Sequence, residues 1–304
     1  MSASPISAPG PDPSRRTRYA CSGPGEPWWE WWERAPSPPL AGLVAGFWAG
    51  DAEEAVARHR TLPNGELMLL FHLGPGQRLT ECDGAACDAL VSRMILAGLQ
   101  ERPSTMETFE RNTRVASVRL LPAGAWLLLG GLAQSDLVGR ILDAEAVLGG
   151  RAGVEALRQR MGEAPDLGLA LEWLEAWLCA RLSRSDAPAP VASTAEGLLR
   201  AARGTLRVDA LADATSLSTR RLRSAFQREV GVPPKRLARI LRFREALERL
   251  ATAPAIDLMR LALDCGYYDQ AHLYRDFREL ADMTPLDYVT RRGHAEETPD
   301  VIGS

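Results

Sequence analysis

Between Val208 and Arg292, apolar positions recur at helical spacing in two similar blocks. In the first, Val208, Leu211 and Ala212 make a short apolar face, which Thr215, Ser216 and Leu217 interrupt. Ser218 offers a hydroxyl for N-capping, so a new helix is expected to start there. Leu222, Ala225 and Phe226 fall on one face of that helix, and Arg220, Arg223 and Ser224 on the other, with Thr219 in its first turn. Gly231 can take the left-handed conformation that ends a helix; Pro233 and Pro234 stop it and suit the start of the next. The same design returns 51 positions on: Asp269 for Ser218, Leu273 for Leu222, Phe277 for Phe226 and Pro285 for Pro234. Ala262 matches Ala212, with one extra residue in the second turn. Such self-similarity predicts one helix-turn-helix unit used twice, joined by a long helix.

Upstream the period changes. Short apolar runs at Leu43 to Trp48, Ala55 to Thr61, Glu66 to Leu73, Leu90 to Ala97 and Thr113 to Leu121 read as strands, with turn signals at Pro63-Asn64-Gly65 and Gly74-Pro75-Gly76. An antiparallel sheet or small barrel follows. From Pro122 to Arg184 the pattern is helical, with helices expected over Ala123 to Leu129, Ser135 to Leu142, Ala144 to Met161 and from Asp166. Leu169, Trp173, Ala176, Trp177 and Ala180 make a 3-4 stripe on the last, read as core or an oligomer seam. The fold class is α+β. A loose Pro/Ser-rich tail is expected over 1–25, a sensor and dimerisation domain over 26–184, a linker over 185–192, an all-α domain over 193–292 with Thr194 capping its first helix, and a tail over 293–304.

A helix with an apolar inner face and an outer face of Arg, Gln and Thr suits the DNA major groove. Arg can bond two acceptors of guanine and Gln can do the same to adenine. The second helix of such a unit enters the groove by its N-terminal half, and tandem units on a connecting helix can reach successive grooves about 34 Å apart. Charge agrees. From 200 to 292 there are 18 Lys and Arg against 12 Asp and Glu, whereas the whole chain is at −3. A basic domain beside an acidic one fits nucleic-acid attraction confined to one end.

The ordered motif from Gly266 to Pro285, G-Y-x-D-Q-x-x-L-x-R-x-F-R-x-x-x-x-x-T-P, with both units and the linking helix, resembles the DNA-binding domain of the AraC/XylS family over roughly 193 to 292. The resemblance implies binding of double-stranded promoter DNA and activation or repression of transcription through contact with RNA polymerase. By position it implies Thr219, Arg220, Arg223 and Ser224 as DNA-binding residues in the first unit, and Gln270, Ala271, His272 and Arg275 in the second. Asp282 stands where Gly is usual, and Asp tolerates the left-handed conformation. Leu273 and Tyr267 replace more usual Phe residues. Ala271 has no side-chain group to bond a base, so the second unit is expected to read sequence less sharply. The segment ARHRTLPNGELMLLFHLG resembles the cupin-like N-terminal sensor domain of some AraC-type regulators, which implies a small-molecule effector; in the regulators resembled, the region matching Pro122 to Arg184 lies between sensor and DNA-binding domain, which implies a homodimer formed there.

Other residues leave readings open. The run Trp28-Trp29-Glu30-Trp31-Trp32 cannot place all four rings on one face of a regular element; it is either partly packed over the domain edge or an aromatic wall for a ligand or partner. Cys82 and Cys87 are spaced for a metal or thiol-switch pair but have no ligand cluster beside them; Cys179 and Cys265 read as core. An enzyme remains a rival through His59 and His72, against which no metal-ligand spacing, nucleotide loop or nucleophile motif stands in the chain. An effector-free architectural factor is a second rival. No cofactor is expected. Lacking a secretory signal or an apolar run near the roughly 18 residues of a membrane span, the protein is expected in the cytoplasm.

Overall fold

Two antiparallel sheets form the N-terminal half of the computed structural model, which describes residues 16–21, 29–52, 58–74, 78–82, 85–90, 93–107, 113–148, 151–252 and 257–291. The strands are β1 (Arg16–Cys21), β2 (Trp29–Arg34), β3 (Val44–Ala52), β4 (Arg58–Thr61), β5 (Leu67–His72), β6 (Arg78–Cys82), β7 (Ala85–Leu90), β8 (Met94–Ala97), β9 (Ser104–Glu107), β10 (Thr113–Leu120) and β11 (Ile141–Asp143). One sheet runs β1-β2-β3-β10-β5-β8-β11 and the other β4-β9-β6-β7. Side chains alternate across a strand, and the alternation here divides two apolar sets. Phe47, Ala49, Leu67, Leu69, Phe71, Met94, Leu96, Ala116 and Val118 face one way. Leu70, Ile95 and Val115 face the other, with Trp48, Met68 and Ile141 packed beside them.

The first set meets the helices α1 (Pro122–Leu128), α2 (Ala144–Leu148), α3 (Arg151–Gly162) and α4 (Leu167–Leu182). Asp166 caps α4 by accepting the Leu169 N–H at 2.8 Å. Buried Arg34 on β2 fastens α4 to the sheet, donating to Glu175 at 2.8 Å and lying 3.5 Å from Glu172. Neighbouring Trp31 and Trp32 go to opposite faces. Trp32 packs on the helix side, while Trp31 stacks on Trp48 with ring centres 4.6 Å apart. Trp28 and the side chain of Trp29 lie outside the described residues.

Several local expectations are corrected. Arg16–Cys21, read as tail, pairs with β2 in register as an edge strand. Leu90 to Ala97 is divided between β7 and β8. Ser135 to Leu142 is no helix: a 3-10 turn at Gln134–Asp136 is followed by β11, which pairs with β8. That pairing satisfies backbone groups that the 3.6 period had assigned to a helix. Ala144 to Met161 is two helices, α2 and α3. On α4 the buried line is Leu167, Ala170, Leu171, Leu174 and Leu178; Ala176 and Ala180 are exposed, and Trp173 and Trp177 are half-covered beneath Arg160 and Arg181. A helix apolar all round hides its true inner stripe from the sequence. Thr194 lies inside α5 (Ser193–Ala201), whose N-cap is Ala192. Cys265 is buried, whereas Cys179 is only partly so. His72 is buried, and the side chains of His59, Cys82 and Cys87 lie outside the described residues.

After α5 come α6 (Val208–Ala214), α7 (Thr219–Glu229), α8 (Pro234–Thr252), α9 (Leu258–Asp264), α10 (Gln270–Ala281) and α11 (Pro285–Arg291). They share one apolar core, and Leu62 and Leu99 of the β-rich half belong to it. The two halves are therefore packed together. Gly65, at φ 77°, brings the β4–β5 turn against α8; a Cβ there would meet Leu237 at 3.2 Å and Leu241 at 3.4 Å. Glu66 is buried, bonds Arg244 of α8, and lies 3.8 Å from Arg119 of β10. Arg60 donates to the Ala281 carbonyl at the end of α10 at 3.0 Å. Glu196 accepts the Ala123 N–H at 2.9 Å.

Candidate nucleic-acid interface

Both units are built by the same turn chemistry. After α6, Ser216 takes φ 54° and the Leu217 N–H reaches back to the Ala212 carbonyl at 3.0 Å. After α9, Gly266 takes φ 76° and the Tyr267 N–H reaches the Ala262 carbonyl at 2.9 Å. These left-handed closures satisfy carbonyls that a helix end leaves open. Ser218 then caps α7 by accepting from Arg221, and Asp269 caps α10 by accepting from His272 at 2.6 Å. Gly231 closes α7 at φ 94°, pressed so near the Gln134 turn that a Cβ would meet Val138 at 2.7 Å. Asp282 closes α10 at φ 54°, as its tolerance of that region allows.

The inner faces of α7 and α10 are fully buried through Leu222, Phe226, Leu273 and Phe277. Their outer faces hold the DNA-contact candidates. Arg220, Arg223 and Ser224 are exposed, with Thr219 half-buried in the first turn. On α10, Ala271 and Arg275 are exposed, and Gln270 and His272 are half-buried. The His272 ring stands edge-on to buried Tyr267, 5.1 Å between centres, so its body is held against the turn.

The charges separate by face. The acids of α10 turn toward α8: Arg239 donates to Asp276 at 2.7 Å and to Glu279 at 2.6 Å, and Arg236 donates to Glu279 at 3.1 Å. Hydrogen bonding from Arg239, with Arg236 beside it, holds the Glu279 carboxyl down at about 2. Among the described residues no ion pair engages Arg220, Arg223 or Arg275. Among the described residues, the N-terminal halves of α7 and α10 thus present arginines without a carboxylate partner. The β-rich half touches the far ends: its Gln134 turn lies against Gly231 after α7, and its Arg60 bonds Ala281 at the end of α10.

The Glu279 network has a testable sign. Its folded pKa lies below the ordinary value of 4.5, so its contribution is complete above that value and is lost as pH falls toward about 2. Urea midpoints at pH 6 and pH 3 should differ less for Glu279→Gln than for the wild type; equal differences would remove this carboxylate from the acid response.

Contacts between the halves, through Arg60, Glu66, Glu101 and Gly65, were not read from the sequence. The only signal was the Pro63-Asn64-Gly65 turn, where the Asn64 side chain accepts the Glu66 N–H at 2.9 Å. The described residues contain no group of three or more His, Cys, Asp or Glu arranged for a metal, and no helix long and apolar enough to cross a membrane.

Residues 211–291 match a family described as a helix-turn-helix domain. Residues 33–143 match a domain family of unknown function, DUF6597. No curated protein matches. Among solved structures, ToxT of Vibrio cholerae is 11% identical, over 80% of this chain and 98% of that one, with a TM-score of 0.47. The same protein from strain SCE256 with unsaturated fatty acid bound is 10% identical, over 81% and 96%, at 0.46. A transcriptional regulator of Chromobacterium violaceum with an AraC-type DNA-binding domain is 23% identical, over 35% of this chain and 95% of that one, at 0.33.

Proposed function

We propose, on the premise that the chain is an AraC/XylS-type regulator by its tandem helix-turn-helix domain, that α7 and α10 read successive major grooves of promoter DNA. The observation carrying this reading is the pair of recognition helices whose outer arginines face outward unneutralised while the acids of α10 are pinned to α8. Arg220 and Arg223 would bond guanine edges and Ser224 a base or phosphate; Thr219 would contact the backbone at the start of α7. In the second unit Gln270, His272 and Arg275 would read bases, with Ala271 offering only apolar contact to a thymine methyl.

The β-rich half is proposed as the effector-sensing and self-association part. The sheet face on which Trp31 stacks with Trp48, packed beside buried Leu70, Ile95 and Val115, is its apolar candidate site for a small molecule. Such a ligand acts only through a difference in affinity between two states. Contact with RNA polymerase, dimerisation and a cytoplasmic site of action belong to the same proposal.

The test is selection of bound duplexes from genomic fragments at fixed physiological salt. Wild type should recover a shared motif. The double variant Arg220→Ala, Arg223→Ala should lose about 30-fold of affinity for it or more and relax preference at defined bases, since each bidentate arginine contributes ~1–3 kcal/mol. A double variant that selects the wild-type motif with unchanged affinity would rule out base reading by α7.

A further inference from the structure

The two units are not quite copies, and the difference is one residue. Four residues, Thr215 to Ser218, separate α6 from α7; five, Cys265 to Asp269, separate α9 from α10. The left-handed closures and the carbonyl bonds of Leu217 and Tyr267 superpose in order, so the added residue is Tyr268. In the first unit the residue before the cap, Leu217, is partly buried against the core. It occupies the position from which an apolar side chain staples onto the first turn of the helix. In the second unit that position is held by Tyr268, yet Tyr268 is 87% exposed. Tyr267 has taken over the packing role: it is 3% exposed, edge-on to His272, and lies beneath the Arg242 guanidinium. Tyr268 therefore has no stapling function, and a large ring projects from a rigid turn directly before the capped start of a recognition helix.

That position adjoins the DNA backbone in any complex in which α10 enters the groove by its N-terminal half. Phosphate and sugar contacts come from Tyr hydroxyls and helix N-termini, and they set the register of a reading helix without specifying bases. We infer that Tyr268 is a positioning residue for the second unit. Its hydroxyl donates to a non-bridging phosphate oxygen beside the site read by α10, and its ring covers the adjoining deoxyribose. The inference rests on the DNA-binding reading above and deepens it. It supplies the second unit with an anchor where Ala271 leaves base contact thin.

The experiment uses the full chain, a duplex bearing the motif selected by wild type, and an unrelated duplex of equal length. Tyr268→Phe should weaken binding to both by about tenfold, the effect of one hydrogen bond to a charged acceptor, and Tyr268→Ala by about thirtyfold, the ring contact being lost as well. Base preference and the dependence of affinity on salt should stay as in wild type, because no cation is removed. The melting temperature should also be unchanged for a side chain this exposed. Replacing single phosphates by methylphosphonate should reveal one beside the second half-site that weakens wild type but leaves Tyr268→Phe unaffected. Wild-type affinity for Tyr268→Ala, or losses from Tyr268→Phe and that methylphosphonate that simply add, would overturn the inference while leaving the DNA reading intact. Failure of wild type to bind any duplex would overturn both.

Discussion

Phe277→Ala is expected to remove about 3–5 kcal/mol from the helical half and, on the DNA-binding reading proposed above, to abolish DNA contact by α10. Phe277 is fully buried, its ring 5.0 Å from Phe243 of the linking helix and 6.4 Å from Tyr288 of α11, both edge-on. It thus joins α10 to α8 and α11. Truncation leaves a cavity among groups fixed by the Arg239–Asp276 and Arg239–Glu279 bonds, which limits collapse. The chain has its own reporters for this. All eight Trp lie at or before position 177, so tryptophan fluorescence follows the β-rich half. Far-UV circular dichroism follows the helices that dominate the rest. In urea the variant should lose helix signal well before tryptophan signal. Two transitions that stay where wild type has them would show that this ring does not hold the unit together.

Glu66→Ala is expected to loosen the two halves from one another, by about 3 kcal/mol, because it removes a buried carboxylate that faces both Arg244 and Arg119. Burial works against the charge on Arg244, but Glu66 and Glu248 outweigh it and hold its pKa above the ordinary value. Without Glu66, Arg244 keeps Glu248 at 2.8 Å, and Arg119 loses the carboxylate 3.8 Å away. Because Glu66 precedes β5 and also lies beside Arg119 of β10, it joins the sheet that carries Trp48, Leu70 and Val115 to the helix that links the two helix-turn-helix units. Hydrogen exchange should rise in the middle of α8, around Leu241 and Arg244, and along the β4–β5 turn. DNA affinity should change as well, since α8 would no longer be braced by the β-rich half. Protection equal to wild type at both places would show that apolar packing of Leu62 and Gly65 suffices.

The sequence by itself determined the double helix-turn-helix half almost completely. Its signals are local: caps at Ser218 and Asp269, left-handed closures at Gly231 and Asp282, and an apolar face at 3–4 spacing on each helix. All of these act within a few residues of where they are written, and the structure forms each one. The α+β division was legible for the same reason, since a period of two gives way to one of 3.6. The choice of faces was not. Ser135 to Leu142 reads as a helix until β8 offers it a strand partner, and α4, apolar on every side, shows its inner line only once a sheet lies beneath it. Nor could the chain reveal that Glu66, Arg244 and Arg119 meet, or that the Tyr268 ring stands almost fully exposed beside the second turn. Those outcomes depend on residues brought together from distant segments. A strand's partner, a buried charge's counter-ion and the side of a helix that meets the core are properties of the packed whole, because each is fixed by the free energy of surfaces that touch only after folding.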